Sequence, residues 1–347
     1  MFGYPVRKAS EDPAGGGPKR RRQTVGIVLG AGAARGWSHI GALQELIAMG
    51  VSPSIVVGAS AGAVVGGCFA AGRLEQLEAF ARSLTKRRVF GLMDVSFNGG
   101  GLIAGNRLRA RLEQSLGGVN IEDLPIRFAS VATEVGAGHE IWLKQGPLVA
   151  AMRASYALPG IFEPVRWGGR WLMDGALVNP VPVNIARALG AEKVIAVNIS
   201  ADVLTRGTAI QDLQHFAEEP VSEDAADVER SSGQNRGMLS GLRRGAGLFR
   251  RFSSGEGGSP AIGSVMADAF NITQDRIMRS RLAGDPPDVL ISARMSKIGL
   301  FEFHRADELI ALGREAARKA IDEIREHIDL TPAPKAALAA PAPVDAH

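Results

Sequence analysis

The sequence predicts an α/β fold in which a mainly parallel central sheet carries helices on both faces. Short β-branched runs recur along the chain, and segments with helical periodicity separate most of them. Strands that alternate with helices in this way form parallel sheets that are buried on both sides. The strand-like runs occupy residues 24–29, 54–57, 128–133, 141–143, 193–199 and 289–291.

The first two strand-like runs are each followed by a glycine-bearing turn and a helical pattern. The turn GAGAARG spans residues 30–36 and leads into apolar residues at helical spacing from Ile40 to Ile47. The turn GASAG spans 58–62 and leads into a run of small residues. Residues 55–72 are uncharged and reach the length of a membrane span. Because Gly58 and Gly62 divide them, we expect a buried strand followed by a buried helix instead.

Composition divides the chain into one domain, two tails and an insert. Residues 1–23 contain three consecutive glycines and a basic run, which predicts a disordered basic tail. The predicted globular domain spans 24–327, with helices over 261–281 and 306–328. Within it, residues 205–260 break the alternation of strands and helices and predict a mobile insert. Residues 328–347 are rich in proline and alanine, which predicts a second disordered tail.

Charge and cysteine content restrict the class of protein. The formal charge of +4 comes from 40 basic and 36 acidic residues, a surplus too small to indicate a nucleic-acid-binding surface. The single cysteine, Cys68, excludes an internal disulfide, and no secretion signal is evident, so we expect a cytoplasmic protein. Within 230–256, arginines lie among apolar residues, which suits peripheral contact with the inner face of a membrane. A solvated linker fits that segment equally well.

Ser60 is the candidate nucleophile. It is the serine of a G-x-S-x-G pattern placed between a strand-like run and a helical run, where a strained turn exposes a serine hydroxyl in hydrolases. The alternative is a serine at a helix start beside glycines that permit close packing. The position between strand and helix favours catalysis.

The turn at 30–36 is placed to bind an anion, because backbone amides at the start of a helix point toward one. A dinucleotide pyrophosphate requires G-x-G-x-x-G, but Arg35 occupies the sixth position and no acidic residue lies about 20 residues further on. The other candidate anion is the oxygen of a tetrahedral acyl intermediate. The hydrolase-like turn downstream favours that use.

Asp174 is the candidate base. It follows the strand-like segment 170–173 and precedes a turn that begins with Gly175 and Ala176. A turn aspartate that caps local backbone is an equally good explanation of this pattern. A nucleophilic serine needs a base within hydrogen-bond reach, and sequence spacing does not establish that Asp174 approaches Ser60.

The motifs together resemble the patatin-like phospholipase family, and within it the bacterial RssA-type proteins. The resemblance covers about residues 24–304 and includes GIVLGAGAARGWSHIGAL, IVVGASAGAVVG, RASYALPGIFEPV, WLMDGALVNPVPV and RLAGDPPDVLI. It implies a patatin-like α/β fold and a serine hydrolase of lipid acyl esters that uses Ser60 as nucleophile and Asp174 as base. The motif positions are Gly30, Gly58, Gly62, Gly175 and Ala176. The resemblance assigns the oxyanion loop to Ala31, Gly32, Ala33, Ala34, Arg35 and Gly36.

No cluster of His, Cys, Asp and Glu has the spacing of metal ligands, so we expect no metal in the catalytic step and no cofactor. The sequence departs from a common family pattern in that Ala31 and Ala33 stand where glycine is usual, and a methyl group at each opposes positive φ. Two rival hypotheses stay open. A non-catalytic lipid-binding or regulatory protein would keep the fold without turnover, and His304 would complete a Ser, acid, His triad.

Overall fold

The computed structural model describes residues 23–92, 101–103, 105–200, 262–295 and 298–330. The predicted insert at 205–260 and the predicted membrane contact at 230–256 lie outside the described residues. So do 1–22 and 331–347, which make up most of the two predicted tails. Strands and helices alternate over most of the described chain, as predicted.

The ten helices of the described residues are α1 Ser38–Ala48, α2 Ala61–Ala70, α3 Leu74–Arg82, α4 Lys86–Leu92, α5 Asn106–Leu116, α6 Leu148–Tyr156, α7 Val183–Ala188, α8 Ile262–Gly284, α9 Ala306–Lys319 and α10 Ile321–His327. The strands are β1 Val25–Leu29, β2 Ile55–Ala59, β3 Gly101–Ile103, β4 Arg127–Glu134, β5 Glu140–Leu143, β6 Gly160–Phe162, β7 Val165–Trp167, β8 Arg170–Asp174, β9 Lys193–Asn198 and β10 Val289–Ser292. Short 3-10 turns occupy Ala33–Trp37, Ile121–Asp123 and Gly175–Leu177.

One large sheet organises the molecule, with strands in the order β10-β9-β1-β2-β4-β8-β7 and β5 also paired with β4. The pairs among β10, β9, β1, β2 and β4 are parallel, whereas β5, β8 and β7 add antiparallel pairs at one side. β3 and β6 form a separate parallel pair. The prediction of a mainly parallel sheet is therefore confirmed. β1 lies between β9 and β2, and the crossovers from β1 to β2 and from β9 to β10 run toward opposite edges of the sheet. Open α/β sheets bind ligands at the carboxyl ends of strands where the connections diverge in this way.

Helices cover both faces of the sheet, as predicted. Alternate residues of β1 point to opposite sides, so Ile27 and Leu29 pack in the core that includes α1, α2, α6 and α9. Val28 packs in the opposite core with side chains of α7 and with Met278 of α8. Because both faces of β1 are buried, it consists almost entirely of apolar residues.

The segment 55–72, which is long enough to span a membrane, forms two separate elements. Residues 55–72 form strand β2 and the ten-residue helix α2, as the glycine positions indicated. Across the described part of the chain, no helix is both long and apolar enough to cross a membrane.

The prediction of one helix over 306–328 is wrong. The backbone leaves helical geometry at Ala320, with φ −92° and ψ 7°, and divides the segment into α9 and α10. α9 packs along α1, and both α9 and α10 contact β10. Ile324 of α10 is fully buried in the larger core.

Candidate active site

Ser60 lies in a sharp turn between β2 and α2. Its backbone has φ 53° and ψ −120°, a conformation that costs a non-glycine residue about 1–3 kcal/mol. Gly62 permits a tight turn because it has no side chain. A Cβ at this position would lie only 2.8 Å from the carbonyl oxygen of Gly30. Helix α2 therefore starts directly against the end of β1. This is the geometry that a nucleophile elbow requires.

Ser60 and Asp174 are in direct contact. The Ser60 hydroxyl donates to Oδ2 of Asp174 at 2.7 Å, and Oδ1 of the same carboxylate accepts the backbone N–H of Ala176 at 2.8 Å. The two side chains lie inside the fold, since Ser60 is 7% exposed and Asp174 only 1%. Burial raises the pKa of Asp174 to about 7, although the hydrogen bonds from Ala176 and Ser60 act to lower it. A carboxylate with this pKa is suited to exchange a proton near neutral pH.

Strand β4 brings these residues together across 114 positions of sequence. β2 pairs with the first part of β4, and Ala59 lies opposite Val131. β8 pairs with the last part of β4, and Asp174 lies opposite the next residue, Ala132. The serine and the aspartate therefore lie beside adjacent positions of β4.

The end of α6 fixes the backbones of both residues. The Ser155 hydroxyl accepts the amide of Ser60 at 3.0 Å, and the carbonyl of Ala157 accepts the amide of Asp174 at 2.9 Å. Thr133 provides a third hydrogen bond, because its hydroxyl donates to the carbonyl of Asp174 at 2.8 Å. Sequence reasoning assigned Ser155 no role, although it belongs to the quoted motif RASYALPG.

The glycine-bearing loop lies beside the serine. A Cβ at Gly36 would overlap that of Ala61, the residue after Ser60, so the two turns touch. Three of the six predicted oxyanion donors have partners within the fold. The amide of Ala31 donates to Pro180 at 2.9 Å, that of Ala34 to Leu300 at 2.9 Å, and that of Arg35 to Gly32 at 3.1 Å.

The amides of Gly32 and Ala33 donate to no carbonyl or side chain within the described residues. They are therefore the loop's candidate donors to an anion at Ser60. Gly36 lies further along the 3-10 turn Ala33–Trp37, which begins at Ala33.

Ala33 adopts positive φ despite its methyl group. Its φ is 49°, a left-handed conformation that costs an L-residue roughly 1–2 kcal/mol. The expectation that alanine opposes positive φ here is corrected, because the surrounding contacts hold the loop against that cost. Ala31 keeps a negative φ.

Comparison with known proteins identifies the family. A model of the family described as patatin-like phospholipase matches residues 27–187. An uncharacterized NTE family protein of Mycobacterium bovis is 34% identical over 328 residues, which cover 86% of this chain and 91% of that protein. This chain belongs to the patatin-like phospholipase family. Members of the family are in general lipid acyl hydrolases.

Other relatives match parts of longer proteins. A second uncharacterized NTE family protein of Mycobacterium bovis is 28% identical over 91% of this chain, which spans 50% of that protein. Patatin-like phospholipase domain-containing protein 6 of Mus musculus is 32% identical over 54% of this chain and 14% of its own length. Among solved structures, VipD from Legionella pneumophila has a TM-score of 0.41 and 12% identity, covering 87% of this chain and 67% of VipD. That last likeness is too distant to carry an argument.

Two further residues near the patatin-like loop support it from within the fold. His39 is fully buried, and its Nε2 lies 2.7 Å from the carbonyl oxygen of Gly30. Burial lowers the pKa of His39 to about 4, so at neutral pH the uncharged ring donates from Nε2 to that carbonyl. Arg35 is also buried, and its Nε donates to the carbonyl of Ile298 at 2.9 Å. Both side chains therefore hold the loop in place through contacts with backbone carbonyls.

His304 does not lie between the serine and the aspartate. It is half-buried just before α9, in a segment whose neighbour Phe303 accepts the indole N–H of Trp37 at 3.2 Å. Within the described chain, no hydrogen bond joins His304 to Ser60 or Asp174. The serine proton is instead directed straight at the carboxylate.

Helix α8 contributes one aromatic residue to this site. Phe270 packs, partly buried, against Ala31, Ala59 and Ala176. Ala31 directly precedes Gly32 in the loop, and Ala59 directly precedes Ser60. Ala176 lies in the turn that follows Asp174. Sequence analysis missed Phe270, because its position in an unremarkable helical pattern gives no sign of what the helix covers.

The described residues provide neither a cluster of metal ligands nor a reactive cysteine. Over the described residues, no group of three or more His, Cys, Asp or Glu side chains is arranged to hold a metal ion. Cys68 is buried, and burial raises the pKa of its thiol to about 12, so it is not a reactive thiolate.

Proposed function

We propose that this chain is a serine acyl-ester hydrolase that acts on lipid esters through a dyad of Ser60 and Asp174. Family membership supports lipid acyl hydrolysis in general. The observation that carries the specific assignment is the 2.7 Å hydrogen bond from the Ser60 hydroxyl to the Asp174 carboxylate. It supports direct proton transfer without an intervening histidine.

The first half of the proposed reaction forms an acyl-enzyme. Asp174 takes the hydroxyl proton as Ser60 Oγ bonds to the ester carbonyl carbon. The amides of Gly32 and Ala33 stabilise the resulting oxyanion, for which one such donor is worth about 3–4 kcal/mol. The intermediate collapses when the bond from the carbonyl carbon to the leaving oxygen breaks, and Asp174 returns the proton to the departing alcohol.

In the second half of the reaction, a water molecule hydrolyses the acyl-enzyme through the same kinds of step. Asp174 accepts a proton from a water molecule as its oxygen attacks the acyl carbon. Collapse breaks the bond to Ser60 Oγ, which regains its proton from Asp174, and the free carboxylic acid leaves. Because Asp174 alternates between accepting and donating, its pKa of about 7 suits both steps.

The proposal is tested with a fluorophosphonate probe and p-nitrophenyl esters. Wild-type protein is expected to form a stoichiometric adduct at Ser60 and to hydrolyse the esters, and Ser60→Ala is expected to fold but to do neither. Ser52→Ala is the control, because Ser52 is exposed and lies before β2. Full activity in Ser60→Ala, or lipid binding without any adduct in the wild type, would refute the enzyme and favour a non-catalytic lipid-binding protein.

A further inference from the structure

Glu140, the first residue of β5, gathers side chains from several elements around one carboxylate. Its Oε1 accepts the Asn179 side-chain N–H at 3.0 Å and the indole N–H of Trp142 at 2.8 Å. Its Oε2 accepts the Arg281 guanidinium of α8 at 2.9 Å. Asn184 of α7 approaches Oε1 at 3.4 Å. The side chain of Glu140 is only 15% exposed, so solvent screens these contacts weakly.

Asn179 is held in one orientation by this carboxylate. It is 1% exposed, and its amide nitrogen donates to Glu140 and, at 2.8 Å, to Oδ1 of Asn184. Both partners are acceptors, so only the nitrogen of the Asn179 amide can face them. The backbone N–H of Asn179 then closes the turn by donating to the carbonyl of Gly175 at 2.9 Å.

The turn that Asn179 closes contacts both parts of the catalytic apparatus. At its start, the amide of Ala176 holds Oδ1 of Asp174 at 2.8 Å. At its end, the carbonyl of Pro180 accepts the amide of Ala31 at 2.9 Å, next to Gly32. A displacement of this turn therefore moves the base and the oxyanion loop together.

We propose that Glu140 and Asn179 are a positioning pair, which locks the 175–180 turn so that the Asp174 carboxylate and the oxyanion loop stay aligned with Ser60. Neither side chain contacts the reacting atoms. The inference rests on the proposed function, because it assigns the pair to the alignment of that same dyad.

The test compares Glu140→Ala and Glu140→Gln with the matched control Glu134→Ala. Glu134 lies on the same β-hairpin, its side chain is 17% exposed, and it pairs with Arg170 at 2.9 Å without contacting the turn. We expect Glu140→Ala to lower kcat by about 10²-fold, the cost of misplacing a catalytic group by about 1 Å. KM should change much less, because alignment acts on the chemical step. Glu140→Gln should keep kcat within about tenfold, since its amide oxygen can still accept from Asn179, and Glu134→Ala should match the wild type.

The pH profile separates positioning from simple loss of stability. Only the Ser60 hydroxyl and the Ala176 amide hydrogen-bond the Asp174 side chain in the described residues. A loosened turn weakens the Ala176 hydrogen bond, which favours the charged carboxylate, so the acidic limb of kcat in Glu140→Ala should move to higher pH. A variant that was merely less stable would contain fewer folded molecules with an unchanged midpoint.

Asn179→Ala provides a second route if Glu140→Ala does not fold, and it should show the same loss of kcat and the same movement of the acidic limb. Wild-type pH midpoints and kcat in folded Glu140→Ala and Asn179→Ala would overturn the positioning pair while leaving the hydrolase intact. Absence of Ser60-dependent hydrolysis in the wild type would instead overturn the proposed function itself.

Discussion

Replacing Asp174 with asparagine is expected to abolish turnover and to make the folded protein more stable above neutral pH. The carboxylate is buried, and burial raises its pKa from 3.8 to about 7. The folded protein therefore retains a proton over a pH range in which the unfolded chain has released it. Stability from this group is complete below pH 3.8 and is lost as the pH rises through about 7.

The size of the effect follows from that change in proton affinity. Each tenfold change corresponds to about 1.4 kcal/mol, so the rise from 3.8 to about 7 is worth roughly 4 kcal/mol as an upper bound. Asparagine has nearly the same shape, its oxygen can still accept the amide of Ala176, and it carries no charge to bury. The Asp174→Asn variant should then exceed the wild type in unfolding free energy by up to about 4 kcal/mol at pH 8, with the difference vanishing near pH 4.

Urea denaturation of both proteins between pH 4 and pH 8 measures this difference. All other titrating groups are common to the pair, so the subtraction isolates Asp174. Asp285→Asn is the control, because Asp285 is exposed at the end of α8 and its replacement should give no such pH trend. If the Asp174→Asn difference stayed constant with pH, or if the wild type were the more stable protein at pH 8, the buried-carboxylate argument would be wrong.

Two further variants test the dyad and its surroundings. His304→Ala, with folding checked by circular dichroism, should keep ester hydrolysis within about tenfold, whereas loss of the base in Asp174→Asn should cost 10² or more. A His304→Ala protein as inactive as Ser60→Ala would establish a triad. Phe270→Ala should raise kcat/KM for long acyl esters relative to short ones, because the ring packs against alanines beside the catalytic residues. Ile272→Ala is the control, since Ile272 is 47% exposed on the same helix, and identical chain-length profiles in the two variants would contradict a role for Phe270.

The sequence predicted much of the sheet because the signals for buried strands are local. The β-branched runs at 193–199 and 289–291 correspond to β9 and β10, with ends that differ by one residue. The prediction of one helix over 306–328 failed at a single residue. The apolar periodicity continues through Ala320, so no change in the sequence pattern marks the point where α9 ends and α10 begins.

The placement of Ser60 in a tight turn was also readable from the sequence. The backbone conformation of an elbow is set by the residues within it. Small residues such as Gly62 are needed there because a larger side chain would clash with the neighbouring backbone. The pairing of Ser60 with Asp174 came from family resemblance, since composition and spacing left a capping aspartate equally plausible. The residues that flank Ser60 do not indicate a contact with Asp174, and those that flank Asp174 do not indicate one with Ser60.

Only the tertiary structure decided which groups meet. Contact across 114 residues depends on the registers of β2 and β8 along β4, and strand register is a property of the whole sheet. The same holds for the loop amides, because those of Ala31, Ala34 and Arg35 are engaged by the partners that folding brings to them. The sequence by itself therefore determined the fold class and the turn that carries Ser60. The hydrogen-bond partners of that serine, and the Glu140 contacts around its base, follow from long-range packing that no local pattern encodes.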